Sequence, residues 1–500
     1  MASQTHQSGL RRGRLNAVHL LFFTVSASAP MTVLAGGVIA TYAVTGSIGV
    51  PLSFPLLAIA LGLFVVGYAA MSRYVSNAGA FYAYLAQGLG RAWGVAASFV
   101  ALVAYNTIQI GLYGLFGAVF GGWMLEKWNV EADWWVWGFA ALVVVGLLGV
   151  LRVDLNARVL AVLLVLEVVA VIVFDIGAIG NPADGSLSVA GFRIDDLFGA
   201  AAAGGVFAFG IAAFIGFESG AIYSEEVKDQ RRTVARATYG ALAITGVLYA
   251  LSAWALLVGV GPDKLVDAIR TDPSGGPGVV FGLIATHWPT WVADGANILF
   301  LTSVFAALLS FHNGVARYLF ALGRERVMPP GFGRTGVGSG APVAGSLIQS
   351  LLAIIVVAAF ASLGRNPITE LFTWLSYVAA VGVLLLMIGT SLAVVGFFAR
   401  RDTEENVWQR LLAPILGALA LGAIMYFVIT EAASLLGASA EQFPSLKWIL
   451  PGLIGAAAVI GLIWGLILRA AKPDVYEGIG RGAVGTPLEH AGAPHAHVGV

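Results

Sequence analysis

Runs of about 20 mostly apolar residues recur along nearly the whole chain, separated by short polar segments, and nothing else in the sequence constrains the fold as strongly. A helix of that length crosses the hydrocarbon of a bilayer with all its backbone hydrogen bonds made internally. The runs fall near residues 19–43, 51–70, 92–123, 134–151, 156–179 and 197–223, then 236–260, 292–322, 342–361, 368–398, 411–433 and 446–468. This predicts an all-α integral membrane protein with about 12 transmembrane helices and no soluble domain. Composition agrees: 59% of residues are hydrophobic, 11% are charged, and the mean hydropathy is +0.87.

The 27 basic and 27 acidic residues cancel, so net charge points to no nucleic-acid partner. Their placement says more. With twelve spans, 21 of the 27 lysines and arginines fall on one side, among them Arg11, Arg73, Arg152, Arg231, Arg324, Arg400 and Arg469. Cytoplasmic loops are enriched in these residues, so both termini are expected in the cytoplasm and the protein in the cell membrane. The polar, basic segment from Met1 to Asn16 reads as no cleaved signal, with the first span as its own insertion signal. Cysteine is absent, which removes disulfides and thiolate metal sites; neither a metal nor a cofactor is expected. Residues 1–18 are read as an N-terminal tail, 19–399 as a core, 400–469 as two further spans and 470–500 as a disordered tail. His490, His495 and His497 belong to the composition of that tail.

Two spans carry interruptions at mid-membrane. The first reads Ser26-Ala27-Ser28-Ala29-Pro30-Met31 and then Ala35-Gly36-Gly37. The sixth runs from Gly210 through Ala213, Phe214, Ile215, Gly216 and Phe217 to Glu218 and Gly220. Freed backbone groups at that depth are tolerated only against protein or a water-filled cavity. Breaks five helices apart fit inverted repeats at 19–179 and 197–399 with a binding site where the broken helices meet. Close packing of small residues is the plainer alternative.

The chain resembles the amino acid permeases of the amino acid, polyamine and organocation transporter superfamily. The resemblance rests on Ala78-Gly79-Ala80-Phe81-Tyr82-Ala83-Tyr84, on Gly216-Phe217-Glu218 through Ser224-Glu225-Glu226 to Arg231-Arg232 and Arg236-Ala237, and on Phe311-His312-Asn313-Gly314 through Arg317-Tyr318 to Gly323-Arg324-Glu325. It implies a five-plus-five inverted repeat with two extra C-terminal helices, and transport by alternating access. It also implies that Ser26, Ala27, Ser28, Ala29, Pro30 and Met31, with Ala213, Phe214, Ile215, Gly216 and Phe217, bind the amino and carboxylate groups of a substrate. Half-helix N–H groups and unwound carbonyls suit those charges. Many relatives have a Gly-Ser-Gly-like break where this chain has Ser-Ala-Ser-Ala, and some that carry basic amino acids place Trp where Ala212 stands.

Ionisable groups inside a membrane are expensive and mark function. Glu218, beside the second break, and Glu167, inside span five, are the leading candidates for proton coupling. Asp175 is read as nearer the outer end and solvated. His312 and Asn313 in span eight are further coupling candidates, and Thr302 with Ser303 could offer hydroxyls to sodium. Tyr105, Asn106 and Gln109 in span three, with Trp374 and Tyr377 in span ten, are expected to line the pocket, whereas Trp123, Trp128, Trp134, Trp135 and Trp137 fit an interfacial belt. Glu225, Glu226, Lys228, Arg231 and Arg232 read as a salt-bridged loop. No hydrolase, P-loop or zinc-protease motif is present, so an enzyme is not expected. The reading is a secondary transporter of an amino acid or small amine, driven by protons or sodium; alternatives are a polyamine carrier, an exchanger and a non-transporting solute sensor.

Overall fold

The computed structural model describes residues 17–75, 77, 79–151, 157–199, 201–218, 230–336 and 340–482. These residues form helices and connecting turns, with no strand among them. Among the described residues, ten helices are long and apolar enough to cross a membrane. The helices that matter below are α1 (Ala17–Ser28), α2 (Pro30–Thr45), α3 (Val50–Met71), α4 (Phe81–Gly88), α5 (Arg91–Trp128), α6 (Trp134–Leu151), α7 (Ala157–Gly180) and α8 (Ala203–Phe214). They are followed by α9 (Gln230–Val260), α10 (Gly278–His287), α11 (Thr290–Arg324), α12 (Val343–Ser362), α13 (Pro367–Phe398), α14 (Trp408–Thr430), α15 (Leu446–Ala471) and α16 (Pro473–Gly478). The expected spans missing from the ten long helices are the first and the sixth, where α1 gives way to α2 and α8 stops at Phe214.

Burial sorts the long helices into centre and rim. The apolar stretch of α5 is 78% buried and those of α9 and α13 are 72% buried, whereas α6, α12 and α15 reach only 28%. The latter leave most of their apolar surface uncovered by protein, as a helix on the lipid-facing rim of a membrane protein would. Close packing relies on small residues: a side chain at Gly461 or Gly465 of α15 would come within 3 Å of the α5 backbone at Ala96 and Ala92.

The structure departs from the sequence reading in three places. Helix α5 has 38 residues, about 57 Å at 1.5 Å per residue, against roughly 30 Å of hydrocarbon; the hydrophobic run ends where charge begins, but the helix continues beyond it. The apolar helix α10 lies in a segment read as connecting loop. Residues 473–482, read as part of a disordered tail, are packed against the helices: Ile479 is buried and the Arg91 guanidinium lies 5.7 Å from the Tyr476 ring centre. That segment is anchored largely through its backbone, which no hydrophobic period reveals. Residues 1–16 of the N-terminal tail, the loop residues Glu225, Glu226 and Lys228, and His490, His495 and His497 lie outside the described residues, as do the side chains of Arg231 and Arg232.

Candidate functional site

Proline at position 30 has no N–H to give and disfavours helical geometry in the residue before it. Ala29 accordingly sits at φ 44, in the left-handed region, and the chain restarts at Pro30. The Ser28 carbonyl, freed from the helix ladder, accepts from Tyr249 Oη at 2.9 Å. Beyond the break, Val33–Val38 winds as a π-helix around Gly36 and Gly37.

The sixth span breaks in a different way. Helix α8 ends at Phe214, Ile215 has ψ 128, and Gly216 has φ 114, a conformation that glycine adopts without steric cost. The Gly216 N–H donates to Glu218 Oε2 at 2.9 Å, Tyr105 Oη to Glu218 Oε1 at 2.7 Å, and Tyr68 Oη to the Glu218 carbonyl at 2.8 Å. Glu218 is therefore a pin for the broken end, 1% exposed and satisfied by tyrosines from α3 and α5.

Between the two breaks lies a cavity of about 50 Å³. The first span contributes Ser28, Ala29, Thr32, Val33 and Gly37, and the sixth contributes Phe209, Ala212, Ala213 and Ile215. Ile108 and Leu112 of α5, Ala307 and Phe311 of α11, and Phe372 and Ser376 of α13 complete the wall. Its polar groups are hydroxyls and broken backbone; among the described residues no acidic or basic side chain lines it.

Thr32 leads outward from this cavity. Its hydroxyl donates to Ser303 Oγ at 3.0 Å, and Ser303 Oγ donates to Glu167 Oε2 at 2.7 Å. The Met31 backbone also bonds the Glu167 carboxyl, which is 5% exposed. A buried acid is thus tied to the first broken helix and, through two hydroxyls, to the cavity wall.

A family model for amino acid permeases matches residues 19–474. The chain belongs to the amino acid permease family. It is 26% identical over 403 residues to the branched-chain amino acid permease BcaP of Lactococcus lactis, a match covering 76% of this chain and 81% of that protein. It is 27% identical over 251 residues to the low-affinity putrescine importer PlaP of Escherichia coli, covering 49% and 50% of the two chains. It is 24% identical over 253 residues to the vacuolar cationic amino acid transporter 8 of Arabidopsis thaliana, covering 50% of this chain and 37% of that one.

In this permease several expected pocket residues point elsewhere. Ile108 and Leu112, one helical turn apart, present the α5 face to the cavity; Gln109, rotated by about 100°, bonds Tyr113 Oη at 3.1 Å and is bonded by Gln349 Nε2. Asn106 Nδ2 donates to its own helix at Leu102, at 2.7 Å. Tyr105 reaches Glu218 and is not part of the cavity wall. On α13 the inward residues are Phe372 and Ser376, while Trp374 packs on Phe360 and Tyr377 Oη donates to the Val428 carbonyl at 3.2 Å. Of the broken-helix residues, Ser28, Ala29, Ala213 and Ile215 line the cavity; Pro30, Met31, Phe214, Gly216 and Phe217 form or flank the breaks. The side chains of Ser26 and Ala27 lie outside the described residues.

The coupling candidates also separate. His312 is fully buried, with Nε2 2.6 Å from Ser346 Oγ and Nδ1 3.4 Å from Gln109 Nε2, so it knits α5, α11 and α12 together. Asn313, the next residue, is only half-buried. Thr302 Oγ1 donates to the Leu299 carbonyl at 3.0 Å, which splits the expected hydroxyl pair and leaves Ser303 facing Glu167. Asp175 is 3% exposed and accepts from Ser252 Oγ at 3.0 Å, so it is buried and not solvated. Sequence reading missed Thr32, Phe209 and Ser376, whose roles depend on which helix face meets the cavity.

Proposed function

We propose that this permease is a proton-coupled symporter that imports a neutral amino acid with a small apolar side chain by alternating access. The observation that carries the reading is the hydrogen-bonded path from Thr32 on the cavity wall through Ser303 to Glu167. The substrate's ammonium and carboxylate meet the opened backbone around Ser28–Ala29 and Ala213–Ile215, and its side chain meets Ile108, Phe209, Ala212 and Phe311. A cavity wall without acidic or basic groups supports a neutral side chain, because a buried charge needs a partner. The branched-chain specificity in the name of BcaP supports the same choice.

Protonation of Glu167 would alter its bonds to Ser303 and Met31, which links proton binding to the shape of the first broken helix. Glu218, held by Tyr105 and Gly216, serves the second break as a fixed pin. In this reading the halves at 19–179 and 197–399 are inverted repeats, both termini are cytoplasmic and the protein resides in the cell membrane. The distribution of lysine and arginine supports that orientation.

A second reading, transport of a polyamine or cationic amine, has the match to PlaP in its favour. The test is a thermal-shift screen against neutral amino acids, basic amino acids and diamines, followed by uptake into proteoliposomes with and without an inward proton gradient. Stabilisation by neutral amino acids and gradient-driven accumulation support the symporter. Stabilisation by diamines alone selects the second reading, and binding without any uptake selects a sensor.

A further inference from the structure

We infer that Ile479–Gly482 is an intramolecular strap that docks on Glu325 and holds α4 and the connection before it against the end of α11, opposing the opening of that side of the permease. Glu325 follows the last residue of α11 and is 5% exposed. Its carboxylate receives four donors. Asn77 Nδ2 at 2.9 Å and the Gly482 N–H at 3.0 Å bond Oε1; the Gly480 N–H at 2.7 Å and Tyr82 Oη bond Oε2. Asn77 lies in the connection between α3 and α4 and Tyr82 in the first turn of α4, so the carboxylate joins that connection and α4 to the end of α11, and the tail supplies the other half of its partners.

The strap also grips α4 directly. Gln87 Nε2 donates to the Gly480 carbonyl at 3.2 Å, and a side chain at Gly480 would meet Ala86 Cβ at 2.7 Å. Gly480 and Gly482 lie at φ 77 and φ 79, so alternate N–H groups turn towards one carboxylate in a conformation that other residues rarely adopt. Ile479 is buried while Arg481, between the two glycines, is exposed. The backbone makes the contact, and the charged side chain stays in solvent.

Separating α4 and the connection before it from the end of α11 would part Asn77 and Tyr82 from Glu325 and pull the tail from one of the two surfaces it bridges. Charge-assisted hydrogen bonds to a buried carboxylate are among the stronger ones, and a carboxylate left short of donors is costly. The strap therefore biases the protein towards the closed arrangement at this end. This inference rests on the alternating-access reading, but it can be tested without any substrate.

The chain has no cysteine, so Ala212→Cys places a single thiol at the cavity. In vesicles exposing the Glu325 side, its labelling by a membrane-impermeant thiol reagent reports opening at that end. Deletion of residues 479–500, and separately Gly480→Ala with Gly482→Ala, should each speed labelling by roughly tenfold, the factor that about one net charge-assisted hydrogen bond represents. Arg481→Ala should leave the rate at the parental value. Parental or slower labelling in the two strap variants, with the protein monodisperse, overturns the strap; so does acceleration by Arg481→Ala. If the truncated protein fails to fold, the double alanine variant decides. Because labelling needs no ligand, failure of the amino acid reading leaves this result intact.

Discussion

The hydroxyl of Ser303 donates to the Glu167 carboxylate at 2.7 Å, joining α11 to α7 across 136 positions of sequence. The same oxygen accepts from Thr32 at 3.0 Å, so both hydroxyls point their protons towards the acid. Glu167→Gln keeps the shape of the side chain but cannot release a proton. It should abolish accumulation driven by a pH gradient while preserving substrate exchange, and paired uptake and counterflow assays in proteoliposomes separate the two. Ser303→Ala, which removes one link, should slow gradient-driven uptake by roughly tenfold, about one net hydrogen bond to a charged group.

Gly216→Ala should destabilise the protein. A β-carbon at φ 114 carries a strain of about 1–3 kcal/mol, and relief of that strain would pull the Gly216 N–H away from Glu218. Thermal unfolding should show a lowered midpoint, with a smaller loss for Glu218→Gln, which keeps an acceptor for the Tyr105 hydroxyl.

Ala212 forms part of the cavity wall, so Ala212→Phe fills space that a substrate side chain would occupy. Amino acids with the largest apolar side chains should lose roughly tenfold or more in affinity, the scale on which hydrophobic pockets discriminate. Those with the smallest side chains should keep most of theirs. Ligand-induced thermal shifts across a size series measure this directly.

His312 bonds Ser346 and Gln109, whereas Glu167 is bonded by Ser303 and Glu218 by Tyr105 and Gly216. His312→Ala should cost about 1–3 kcal/mol by leaving buried polar partners unsatisfied, seen as a lowered unfolding midpoint. The pH dependence of uptake should keep its shape; a displaced pH profile would give His312 a part in coupling.

The spanning helices and the two breaks could be read from sequence because both rest on local chemistry: long apolar runs, and Pro30 or Gly216 where a helix cannot continue smoothly. Glu167 and Glu218 stood out because acids are rare at such positions. The cavity wall was harder. Tyr105 and Trp374 lie in the correct helices, but one face of a helix differs from the next by about 100° per residue, and no amphipathic contrast marks a helix surrounded by protein and lipid. The order in residues 479–482 was invisible for another reason: backbone N–H groups make the contact, and every glycine-rich segment has those.

The burial of Glu167 within a spanning helix has an electrical consequence. In the proposed proton-coupled cycle, a proton reaching it from outside would already have moved through part of the voltage across the bilayer, and moving one elementary charge through the whole is worth about 2.3 kcal/mol per 100 mV. A zwitterionic substrate adds no net charge, so each import cycle would carry one proton's worth of current. A membrane potential alone, with equal pH on both sides, would then suffice to fill the cell.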